Sequence, residues 1–224
     1  MQRRQFTTGG CLLAATGPGV VWAAFGEADA AQAVRLALER GANAAVDQLG
    51  RADGFLGNPQ VRIPLPGALN SAAKLLKATG QQKQVDALIT AMNRAAEAAV
   101  PQARKLLVST AKSISVDDAI KIVRGGDTSV TDYFAGKTRA PLAEQFLPIV
   151  TRATEKLDLA SQYNAVAGRA AQFGLLKGDE VTVQRYVTAK ALDGLFQMIG
   201  EEERKIRRDP VGSGSAILKK VFGG

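Results

Sequence analysis

Histidine is missing from all 224 residues, and cysteine occurs once, at Cys11. The first absence removes the commonest general base, and with it the Ser-His-Asp and Cys-His arrangements of nucleophilic catalysis. The two together remove the usual ligands of zinc, copper and iron, so neither a metal site nor a cofactor is expected. Aromatic residues are only 5% of the chain. The apolar mass is therefore aliphatic and rich in alanine, which favours helix intrinsically and lets helices approach closely. Hydrophobic residues at 46% against 22% charged exclude the composition of a disordered chain. No segment sustains the period-two alternation of a strand, and no repeat of fixed period is visible.

The formal charge is +8, falling to +6 when Arg3 and Arg4 are lost. Lys and Arg are spread among Glu and Asp, with no basic cluster interleaved with aromatics, so nucleic-acid binding is not expected. Those two arginines open Met1-Gln2-Arg3-Arg4-Gln5-Phe6, which precedes an apolar run from Cys11 to Phe25 and small residues at Ala23, Ala24 and Ala28-Asp29-Ala30. A positive start, a short apolar run and a small-x-small site predict a cleavable signal peptide over 1–30, cut after Ala24 or Ala30. Arg3-Arg4-Gln5-Phe6 fits twin-arginine export in part, and the leader as a whole fits the general secretory route. The run carries Gly17, Pro18 and Gly19 and is shorter than the roughly 20 residues of a membrane-crossing helix. The expected product is periplasmic, with no transmembrane span. Because Cys11 leaves with the leader, that product forms no disulfide. Thr8-Gly9-Gly10 before Cys11 lacks the apolar character of a lipoprotein signal.

Residues 31–224 are read as a single all-α domain, a multi-helix bundle with a long ordered Pro/Gly-containing strap after its first helix. Val34, Leu38, Ala42, Ala45, Val46 and Leu49 predict a helix over about 30–50, with Gly41 inside it at a cost of about 1 kcal/mol. The strap runs from Asp53-Gly54-Phe55-Leu56 to Ile63-Pro64-Leu65-Pro66, where two Gly and three Pro forbid regular helix, while its apolar residues pin it to the body. Leu69 to Leu76 predict a short helix stopping at Gly80, and Val85 to Ala99 a long one broken at Pro101. Helix resumes through Ala111. Ser115 caps the next, which ends at Gly125-Gly126, and Asp127 is expected to cap its successor. Leu142 to Leu157 mark a helix bent near Pro148, and Leu159 to Phe173 another stopping at Gly174. Leu192, Leu195, Phe196 and Ile199 define the last long helix. Gly212-Ser213-Gly214-Ser215 reads as a flexible joint before a short amphipathic tail.

Without His or Cys, enzymatic chemistry is left to paired carboxylates, which divide acid and base roles in a cleft. Asp53, Asp117, Asp118, Asp179, Glu180 and Glu201-Glu202-Glu203 are the available acids. Helix-terminal charge and i,i+4 pairing with Arg204 to Arg208 explain most of them more simply, so no catalytic residue is assigned. Candidate ligand- or partner-binding residues are Asp53, Phe55, Asn58 and Arg62 in the strap, because recognition often sits on loops over a rigid scaffold. The plainer account has Phe55 plugging the bundle while Asp53 and Asn58 satisfy turn backbone. Tyr133 and Tyr163 are added as aromatics beside polar groups, with core packing and a phenol at the rim as the alternative.

Several separated stretches resemble one family. They are Asp53-Gly54-Phe55-Leu56 with Ile63-Pro64-Leu65-Pro66, Met92-Asn93-Arg94-Ala95-Ala96-Glu97-Ala98-Ala99-Val100-Pro101, Tyr186-Val187-Thr188 with Ala191-Leu192-Asp193-Gly194-Leu195-Phe196, and Leu218-Lys219-Lys220-Val221-Phe222-Gly223. Together they resemble a bacterial domain of unknown function, family 4197, from about Val34 to Gly223. The resemblance implies a single helical domain, usually behind an export signal, and implies no activity. The expected role is a non-enzymatic binding or interaction protein of the cell envelope, its partner an unidentified protein or apolar ligand. The alternatives are an apolar-ligand or lipid carrier and a carboxylate-dependent hydrolase.

Overall fold

The computed structural model describes residues 26–67, 78, 80, 82–172 and 178–222. Helix α1 spans Glu27–Leu49, α2 Gln82–Ala99, α3 Ala103–Lys112, α4 Val116–Val123, α5 Ser129–Thr154, α6 Asp158–Gln172, α7 Val183–Arg208 and α8 Ala216–Phe222. No strand occurs among the described residues. The expected leader, the short helix over 69–76 and the stop at Gly174 lie outside them.

The stripe that predicts α1 is the face it buries: Val34, Leu38, Ala42, Ala45, Val46 and Leu49 are all inaccessible. The helix starts earlier than expected, at Glu27, because Asp29 accepts from the Gly26 amide at 3.2 Å and closes the first turn. It therefore runs across the expected leader boundary at residue 30, with Ala30 and Ala31 already buried. Long helices α1, α5 and α7 pack on one another through α7, while α2 packs on α5, and α3, α4 and α8 pack on α1. Leu38, Phe134, Leu142, Phe146 and Leu192 fill the space between them.

Pro101 ends α2 in a 3-10 turn over Val100–Gln102, after which helix resumes as expected. The Ser115 hydroxyl accepts from the Asp118 amide at 3.1 Å and starts α4. Asp127, by contrast, caps nothing. The residue before α5 is Thr128, and the cap comes from another helix: Glu203 of α7 accepts from the amides of Val130 and Thr131 at 3.1 and 3.0 Å. A carboxylate there is favourable because these orphan donors form the positive end of α5. Helix α5 then runs through both Pro141 and Pro148. The tail forms α8, burying Leu218 and Val221. The stretch before it forms a hydrogen-bonded turn, with Asp209 accepting from the Gly212 amide at 2.7 Å and Arg40 donating to the Ser213 carbonyl at 2.6 Å.

Candidate functional site

The strap is built into the body. Phe55, Val61, Ile63 and Leu65 are buried, and Phe55 is inaccessible. Its ring lies on Gly194 of α7, where a β-carbon would sit 2.8 Å from Cε1, so only glycine admits the plug at this register. Two polar residues one turn apart on α2 bind the strap backbone. Asn93 accepts from the Ile63 amide at 2.8 Å and donates to the Ile63 carbonyl at 3.0 Å, pairing with the strap as a neighbouring strand would. Glu97 accepts from the amides of Phe55 and Leu56, both at 3.1 Å, and its other oxygen accepts from Arg94 at 2.7 Å. Arg94 also reaches Asp53 at 2.8 Å. The two carboxylates, Glu97 foremost, hold the Arg94 guanidinium above its ordinary pKa.

These contacts give the strap candidates internal duties. Asp53 adopts a left-handed backbone (φ 63°), and its carboxylate goes to Arg94. Asn58 closes an Asx turn on the Gln60 amide at 3.1 Å. Arg62 is exposed, its amide donating to the Asn58 carbonyl. Tyr133 and Tyr163 lie on different helices, α5 and α6. The Tyr133 hydroxyl is 3.5 Å from Asp118, too long for a strong hydrogen bond. Burial first, then Asp118, pushes the Tyr133 phenol above its ordinary value. Tyr163 is buried.

A different place has the form of a binding site. Between α5 and α7 a groove of about 590 Å³ is floored by alanine and glycine. Gly136, Ala140, Ala143 and Leu147 line it from α5 at positions i, i+4, i+7 and i+11; Arg185, Thr188, Ala189 and Leu192 face them from α7 at i, i+3, i+4 and i+7. Leu147 is one of few large apolar side chains left exposed. Arg139 and Arg185 line the groove with Glu144 and Asp179. Arg139 is already engaged by Asp193 at 2.9 Å and sits over the Phe196 ring. Thr188 is 5% exposed, and its hydroxyl finds no partner among the described residues.

None of the six residues selected from sequence lines this groove. The available signal was the run of small residues on one face of α5. Nothing in the pattern of either helix alone shows that the two faces meet. Among the described residues no His/Cys/Asp/Glu group is arranged to hold a metal, and no helix is long and apolar enough to cross a membrane. The model of a family described as a protein of unknown function (DUF4197) matches residues 24–223. No curated protein and no solved structure matches the chain.

Proposed function

We propose, from the premise that the chain belongs to the DUF4197 family of proteins of unknown function, that it is a non-enzymatic binding protein whose α5–α7 groove takes a small, largely apolar molecule. The groove's size and lining carry this reading. Its 590 Å³ falls within the roughly 300–1,000 Å³ of ligand sites. Its twelve lining residues are fewer than the 20 to 30 per side of a stable protein–protein interface. A floor of Ala and Gly keeps it open, since any larger side chain would fill it.

The most deeply buried carboxylates, Glu97 and Glu203, are committed to backbone amides and to Arg94 and Arg207, which leaves them to hold the fold. Glu144 and Asp179 are exposed and surrounded by water, unlike the shielded acid of a carboxylate hydrolase. Recovery of the protein from its own envelope, followed by native mass spectrometry, is expected to show a bound small molecule that Ala143→Trp excludes. No bound mass, together with unchanged binding of an apolar fluorescent dye by Ala143→Trp, would overturn the proposal.

Export to the periplasm belongs to the same reading. Of the two expected cuts, the one after Ala24 leaves α1 whole. The one after Ala30 removes its first turn, including Asp29, which pairs with Lys220 of α8 at 2.5 Å. The mature amino terminus is therefore expected at residue 25, and terminal sequencing that finds Ala31 would reverse this choice.

A further inference from the structure

We propose that Asp53-Gly54 is a site of spontaneous isomerisation, held shut by the docking of the strap on α2 and opened when the strap lifts. The chain has two Asp-Gly pairs, Asp53-Gly54 in the strap and Asp193-Gly194 inside α7. A glycine after aspartate leaves the following amide without a β-carbon to shield it. The Gly54 nitrogen bonds to the Asp53 carboxyl carbon, the carboxyl hydroxyl leaves with the amide proton as water, and a five-membered imide remains. Water then adds to either imide carbonyl, which restores aspartate or sends the main chain through the Asp53 β-carbon as isoaspartate. Water is the only other reactant.

Among the described residues, Asp53 alone has a left-handed backbone without being glycine, a conformation that persists only while its surroundings hold it. Its side chain is 63% exposed, open to the water that the second step consumes. The nucleophile is engaged: the Gly54 amide donates to the Arg51 carbonyl at 3.0 Å, and the next two amides donate to Glu97. The electrophile is tied to α2 by Arg94 at 2.8 Å. Gly54 itself is pressed onto the end of α1, where a β-carbon would lie 2.4 Å from the Leu49 carbonyl oxygen. Ring closure needs the carboxyl carbon to swing onto the Gly54 nitrogen while that peptide turns, so the segment must first leave α1 and α2. Asp193-Gly194 differs in lying mid-helix, where helical hydrogen bonding fixes the peptide and Arg139 holds the carboxylate. Isoaspartate at position 53 adds a backbone methylene to the turn, which puts the Phe55 and Leu56 amides out of register with Glu97. A strap that has reacted therefore redocks poorly.

The intact protein is aged in neutral buffer below its melting temperature, and isoaspartate at each Asp-Gly pair is measured by peptide mapping with isoaspartyl methyltransferase labelling. A synthetic peptide of residues 51–57, aged alongside, gives the unrestrained rate. Asp53 in the parent is expected to react far more slowly than the peptide, and to accelerate in sub-denaturing urea. Glu97→Ala, which frees the strap, should raise the Asp53 rate roughly tenfold or more. Arg94→Ala should raise it about fivefold at most, the worth of one exposed ion pair, and Glu97→Gln should leave it near the parent. Asp193 should stay unreacted throughout. Should Glu97→Ala not fold, the urea series on the parent carries the same test. Reaction of the folded parent at the peptide's rate, no acceleration in urea, or more isoaspartate at Asp193 than at Asp53 would overturn the proposal.

Discussion

Glu97 holds the strap by two amides, and its replacement tests whether that latch is structural. In Glu97→Ala the Phe55 amide, buried, and the Leu56 amide, part-buried, lose their common acceptor, while Arg94 keeps Asp53. A stranded buried donor costs roughly 1–3 kcal/mol, so the two together predict a loss of about 2–4 kcal/mol. That is a large share of the roughly 5–15 kcal/mol available to a domain. Glu97→Gln separates the two functions of the side chain. Its amide oxygen still accepts from both backbone donors and only the charge pairing with half-exposed Arg94 is lost, which solvent screening keeps small. Urea unfolding gives both stabilities, and hydrogen exchange at Phe55 and Leu56 reports the latch directly. Exchange at these two amides should accelerate in Glu97→Ala and change little in Glu97→Gln. Equal losses in the two variants, or an alanine variant within 0.5 kcal/mol of the parent on the order of surface substitutions, would refute the reasoning.

Gly41→Ala should stabilise by about 0.5–1 kcal/mol, because it removes helix-interior glycine and its new β-carbon meets Glu202 and Ile199 at an ordinary 3.7–3.8 Å; a drop in melting temperature would count against it. Gly194→Ala should do the opposite. Its β-carbon lies 2.8 Å from Phe55 Cε1 and 3.2 Å from Val61 Cβ, predicting a loss of about 1–3 kcal/mol, measurable by urea unfolding. Burial and Asp118 favour the neutral Tyr133 phenol, so its contribution is complete below the ordinary value of 10.0 and is lost as pH rises through the higher folded value. Difference absorbance titration of the protein against Tyr133→Phe should show a phenol titrating above 10.0, and one titrating lower would contradict this.

Most of the described helices were readable from spacing, because burial of one face imposes its period on the residues that form it, but the helix expected from Leu142 is only the second half of α5, which begins at Ser129. Val34 to Leu49 and Leu192 to Ile199 show this most clearly. The ordered strap was readable too, since Phe55, Val61, Ile63 and Leu65 had to be buried somewhere and Pro64-Leu65-Pro66 forbade a helix. What holds the strap was not readable. Asn93 and Glu97 look like solvent-facing residues among alanines, and their role depends on amides of a segment some 30 to 42 positions earlier in the chain. The cap of α5 escaped for the same reason. Asp127 is local and of the right chemistry, yet Glu203 reaches the same donors from 73 residues away and also pairs with Arg207 one turn on. Local patterns carry local partners, and these partners are distant.

The four deeply buried polar side chains of α2 and α7 then fall into two kinds. Asn93, Glu97 and Glu203 are each satisfied by at least two backbone contacts across the fold, as a buried polar group must be if it is to stabilise. Each pins one element to another: the strap to α2, or α5 to α7. Thr188 lies on α7 itself, 15 residues before Glu203, and pins nothing. A chain that meets the hydrogen-bonding demand so fully at three buried sites and leaves it unmet at a fourth gives up stability at that fourth place, where a valine would strand no polar atom.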